Sequence, residues 1–119
     1  MSKFISIYCN EKMKNTICHA LRNFACLAYP KTPNSECNLV ASDALMNAAE
    51  SFDKTFSENG YGEINRRLRM MLKTAIIAHY KILSELHNRD MSQQCELMQK
   101  VCQGERLTEA ELLKIEQLD

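Results

Sequence analysis

Helix breakers are scarce in this chain, and they fall at only three places. Its 119 residues hold three glycines and two prolines. Pro30 and Pro33 bracket the stretch YPKTPNS, Gly60 and Gly62 lie in ENGYG, and Gly104 lies in CQGER. Glycine and proline are the strongest local punctuation a sequence carries. Between these marks the apolar residues recur at i, i+3, i+4 and i+7, the period of an amphipathic helix. The expected fold is all-α: a single-domain bundle of four main helices with a short C-terminal fifth.

The first helix is expected over 10–28, with Met13, Ile17, Ala20, Leu21, Phe24, Leu27 and Ala28 on its inner face. It stops near Tyr29, because the residue before a proline is pushed out of helical geometry. The second is expected over 35–57, with a stripe of Cys37, Ala41, Ala44, Leu45, Ala48, Phe52 and Phe56. Gly60 supplies its left-handed stop.

The third helix is expected over 62–87. Ile64, Leu68, Met71, Leu72, Ala75, Ile76, Ala78, Ile82, Leu83 and Leu86 give it an apolar face broad enough for a central position. The fourth, over 91–103, opens on Asp90 with Gln93 as a capping box and closes at Gly104. Met91, Cys95, Met98 and Cys102 form its stripe. The fifth, over 108–118, opens on a Thr108–Glu111 capping box, with Leu107 and Leu112 at hydrophobic-staple spacing. Leu112, Ile115 and Leu118 then face inward. The preceding KFISIY, at 3–8, reads as an extended or helical arm rather than a sheet strand, because no second strand is evident to pair with it.

Hydrophobic residues are 45% of the chain and charged residues 25%, a composition that folds. A chain of this length buries roughly two thirds of the surface its unfolded form exposes, so neither metal nor disulfide is required. No apolar run approaches the roughly 20 residues of a spanning helix, and the N-terminus lacks a secretory apolar core. The expected location is cytoplasmic. Six cysteines, at 9, 18, 26, 37, 95 and 102, make no C-x-x-C, and free thiols are expected.

Formal net charge is zero, so no global field draws the protein to nucleic acid or an anionic membrane. The distribution is uneven. Residues 61–90 carry six cations against three anions, and residues 91–119 carry three against six. Arg66, Arg69 and Lys73 follow i, i+3, i+7 spacing, one face of a helix. Met70, Ile77 and Tyr80 lie among these cations, away from the main stripe. A central helix three has them covered by neighbours; otherwise they form an apolar patch rimmed by Arg and Lys. The outer face of helix two carries an acidic row, Glu36, Asp43, Asn47 and Glu50.

Catalytic signatures do not emerge. His79 falls within the apolar face of helix three, and its i±3 and i±4 neighbours are Ala75, Ile76, Ile82 and Leu83, none of them a metal or catalytic partner. His19 and Cys26 are two helical turns apart, about 10.5 Å of rise, too far for one metal ion. Cys26 offers at most a surface thiol. There is no P-loop, dinucleotide fingerprint or H-E-x-x-H. No cofactor or metal is expected.

These features point to a non-enzymatic protein that acts by occupying another protein's surface, as an inhibitor, an immunity-type antidote, a chaperone or an adaptor does. Its expected surfaces are Arg66, Arg69, Met70, Lys73, Ile77 and Tyr80 on helix three, and Glu36, Asp43, Asn47 and Glu50 on helix two. The acidic row suits a basic partner such as a toxin or effector nuclease. The alternative is a nucleic-acid-binding domain using the basic helix; a thiol enzyme ranks below both. A homodimer through helix three or four is also compatible with the pattern.

Overall fold

The computed structural model describes residues 3–30 and 36–116. Strand β1 (Phe4–Ile7) leads into α1 (Glu11–Ala28) and α2 (Glu36–Asn59). Strand β2 (Gly62–Asn65) and a 3-10 turn (Arg66–Leu68) then feed α3 (Arg69–His87), followed by α4 (Ser92–Cys102) and α5 (Glu109–Glu116). The all-α single domain expected from the sequence is therefore present, with a small sheet added to it.

That sheet corrects two expectations. The N-terminal segment is a strand, and its partner is the segment expected to begin helix three. The strands are antiparallel, with Ile5 opposite Ile64 and Ile7 opposite Gly62. Ile5, Ile7, Ile64 and Gly62 are all buried, so each strand turns alternate residues to the core. The segment was hard to recognise because it contributes only one large apolar side chain, Ile64, which also fits a helical stripe. Its backbone settles the matter: the N–H and C=O groups of β1 need partners, and β2 provides them.

Helix α2 holds β2 in place. The Phe52 ring lies directly over Gly62, where any Cβ would overlap it. One turn on, the Thr55 hydroxyl donates to the Phe52 carbonyl at 3.0 Å and accepts the Glu63 N–H at 3.0 Å.

Local signals set the helix ends. The Asn10 side chain accepts the Met13 N–H at 2.8 Å and starts α1. Gly60 closes α2 at φ 80°, two residues later than expected. The expected start at Ser35 lies outside the described residues. Asp90 caps α4 by accepting the Ser92 N–H at 3.0 Å, in place of the expected box with Gln93. Asn88, in the left-handed region, ends α3. The α5 capping box forms in full: Glu111 accepts the Thr108 N–H at 3.0 Å, and Thr108 accepts the Glu111 N–H at 3.2 Å. Leu112 and Ile115 pack against the core, while Leu118 lies outside the described residues.

The core runs through Ile7, Ile17, Leu21, Leu45, Phe52, Ile64, Leu72, Ile76, Met98 and Val101, all fully buried. Helix α1 packs between α2 and α3, and α3 packs between α1 and α4, with α5 behind α4, so the third helix is interior as expected and shares that place with α1. Being central, α1 also buries Cys18 and Ala25, whereas Leu27 and Ala28 at its end face solvent. The buried face of α2 is Ser42, Leu45, Ala49 and Phe52, rotated from the expected stripe, so Cys37 is exposed. Helix α3 nevertheless leaves Met70, Ile77, Ile82 and Leu86 exposed. No helix among the described residues is long and apolar enough to cross a membrane.

Replacing Gly62 by alanine forces the Phe52 ring or strand β2 to move. Overpacking of this kind destabilises by roughly 1–3 kcal/mol. Gly62→Ala should lower the urea midpoint accordingly, and Phe52→Leu in the same chain should recover part of the loss. A midpoint equal to the wild type's would show that the contact is not tight.

Candidate functional site

The expected basic row on helix three exists, but in a different geometry. Arg66 lies on the 3-10 turn rather than on the α-helix. Asn65 shapes that turn by accepting the Arg67 N–H at 2.9 Å. The Arg66 N–H donates to the Lys3 carbonyl at 3.0 Å, which ties the turn to β1. Arg69 and Lys73 follow on the first two turns of α3, both exposed.

The end of α4 faces them. Gln103 caps that helix, and Gly104, at φ 95°, packs where a Cβ would lie 3.3 Å from the Ser6 carbonyl and 3.5 Å from Ile5. The last turn of α4 is thus pressed against β1. Between the three elements lies a cleft of about 340 Å³, lined by Ile5, Arg66, Arg69, Met70, Lys73, Gln99, Cys102 and Gln103. Of the eight described lining residues three are cationic and none is acidic. Among the C-terminal acids, Glu111 of α5 sits 3.7 Å from Lys100 of α4.

The other residues expected on this face separate. Met70 is 61% exposed at the cleft, and Ile77 is exposed one depression further along, beside Lys81, Glu85 and Asp90. Tyr80 is a correction. It is only 6% exposed, turned into the core between α3 and α4, and burial raises its phenol well above the usual range. What remains of its surface lines the depression that holds Ile77.

The acidic row on α2 stands as expected, with Glu36, Asp43, Asn47 and Glu50 all exposed. Sequence reasoning missed the apolar residues that accompany it. Val40 is 70% exposed, and Leu39 and Met46 are also exposed. Val40 is four residues after Glu36 and three before Asp43, so the spacing that defined the row also placed Val40 within it. Beside it runs a shallow apolar groove of about 460 Å³, formed by Glu36, Cys37, Val40, Ala41, Ala44 and Met71. For the basic cleft no sequence signal existed for Ile5, Gln99, Cys102 or Gln103, because only tertiary packing brings them to the cations.

Thiol chemistry finds little support in the buried cysteines. Burial pushes Cys9 up to about 12 and raises Cys18 and Cys102, away from the reactive thiolate. Cys26 and Cys37 are exposed. Among the described residues no group of three or more His, Cys, Asp or Glu side chains is placed to hold a metal ion. No protein-family model, curated protein or solved structure matches this chain.

His79 is half-buried where α3 meets α1, with the His19 ring edge-on at 5.6 Å. Burial, and to a lesser degree the neighbouring His19, lower its pKa below 6.5. The unfolded chain therefore takes up this proton first as pH falls. The native state keeps its full stability above pH 6.5 and loses it as pH drops from there toward the folded value. Thermal melts should show the midpoint falling over that window, with His79→Gln flattening the fall. An equal slope in the variant would assign the effect to other groups.

Proposed function

We propose that this protein is a non-enzymatic, cytoplasmic binding module that occupies the surface of a basic partner protein, with the outer face of α2 as its docking surface. The supporting observation is the exposure of Leu39, Val40 and Met46 on the helix that carries Glu36, Asp43 and Glu50. Folding gains nothing from leaving three large apolar side chains in water. Apolar anchors with a charged rim are the anatomy of a protein interface. The adjoining groove, lined by small side chains, gives a partner's side chain somewhere to lodge. The carboxylates bring a basic surface in quickly and in register, and the apolar centre holds it. An inhibitor, an immunity-type antidote to a toxin, a secretion chaperone or an adaptor works in this way.

The competing reading, a nucleic-acid domain built on α3, rested on a continuous row of cations along one helix. With Arg66 on the preceding turn, the cations gather around a cleft that no aromatic side chain lines. A stacking platform of the kind single strands use is missing from that lining.

The test is capture by tagged protein from the native cell's lysate in the presence of nuclease, followed by affinity measurements on the recovered protein. One stoichiometric protein is expected. Asp43→Lys with Glu50→Lys should weaken binding by about tenfold or more, and Val40→Asp should weaken it further. All three side chains are exposed, so circular dichroism and melting should match the wild type. Unchanged affinity in these variants would remove α2 from the docking role. Recovery that nuclease abolishes would favour nucleic acid.

A further inference from the structure

The α2 docking face leaves the basic cleft unused. We propose that this cleft is a binding site for a small molecule carrying a phosphate group. The argument rests on what lines it and what does not. The exposed Arg69 and Lys73 supply positive charge, Arg66 lies beside them on the turn, and Gln99 and Gln103 supply neutral amides. Ile5, Met70 and Cys102 supply an apolar wall, and none of the described lining residues is acidic. A concave site with an apolar wall and a few convergent polar groups is how small ligands are held. At about 340 Å³ the cleft is at the lower end of the roughly 300–1,000 Å³ that such sites span.

The donors select the ligand. A guanidinium presents a planar fork of N–H groups that matches the oxygens of phosphate, and an ammonium adds a compact point charge. The fork of Arg69 with the ammonium of Lys73 one turn on suits the several oxygens of a phosphate. The helix itself gives no reason for these cations. Arg69 opens α3 and Lys73 is one turn in, at the end where the macrodipole favours anions, and the first turn carries no acid. An anion in the cleft offsets that unfavourable placement.

The surroundings favour a small molecule over a nucleic-acid strand. None of the eight lining residues is aromatic, the cations are gathered at one depression, and the chain has no net charge to attract a polyanion. The walls are also well anchored. Arg66 is tied to β1 by its backbone, Asn65 caps the turn, and Gly104 presses the end of α4 onto β1.

The experiment is isothermal titration of the full chain with glycerol 3-phosphate, inorganic phosphate, an acidic peptide and a single-stranded oligonucleotide. One phosphate compound per chain is expected to bind. Whichever of the ester and the free ion binds more tightly identifies the source of the phosphate. Arg69→Gln and Lys73→Gln should each weaken that binding by about tenfold or more, with melting curves that show an intact fold. Asp43→Lys with Glu50→Lys should leave it unchanged, which keeps this site separable from the α2 face. Absence of binding by both phosphate compounds would overturn the proposal, as would affinity that survives both cleft variants. Tighter binding of the oligonucleotide, falling steeply with salt, would replace it with a nucleic-acid site. Tighter binding of the peptide would replace it with a protein-docking site.

Discussion

The closure of Phe52 over Gly62 is the contact on which the rest of the molecule depends. A ring on α2 rests on a bare backbone, and strand β2 is seated as a result. Once β2 is seated, its pairing with β1 follows, because the two strands expose complementary backbone groups and bury Ile5, Ile7 and Ile64 on one face. The end of β2 then determines where the 3-10 turn begins and where α3 starts. Arg66 and Arg69 reach the cleft from that junction. A packing contact far from the cations thus sets the geometry of the basic depression.

Much of the helical architecture was legible from residue order alone. Breakers marked the ends, and side-chain caps such as Asn10 and the Thr108–Glu111 box refined them. The errors share a physical origin. Helical periodicity tells which residues are apolar on one side, but the neighbour on that side is a tertiary fact. Helix α2 has small apolar residues over a wide arc, so its buried face could turn toward Ser42 and Ala49 without losing helix. Tyr80 seemed to belong with the cations by spacing, yet α4 covers it. The sheet was missed because four residues with one isoleucine carry too little pattern to outweigh a helical reading.

The candidate surfaces divide along the same line. The acidic row of α2 is a property of one helix, and sequence spacing was enough to find its polar residues, although Val40 among them was passed over. The basic cleft is assembled from β1, the turn before α3, α3 itself and the end of α4. Only its cations were visible in advance. Its glutamines and apolar wall come from segments up to about a hundred residues apart, a separation that no local periodicity reports. Zero net charge therefore conceals two oppositely charged surfaces on different elements.

The sheet also imposes an order of assembly. Between the paired strands the chain runs through all of α1 and α2, so β1 and β2 meet only by closing a long loop. That closure carries an entropic cost that must be met before the pairing rewards it. The α1–α2 hairpin, whose contacts are nearer in sequence, shortens the search by bringing the strand ends together. The cleft, which borrows a wall from β1, is thus among the late features of the folding chain, completed when β1 is drawn back against the strand that precedes α3.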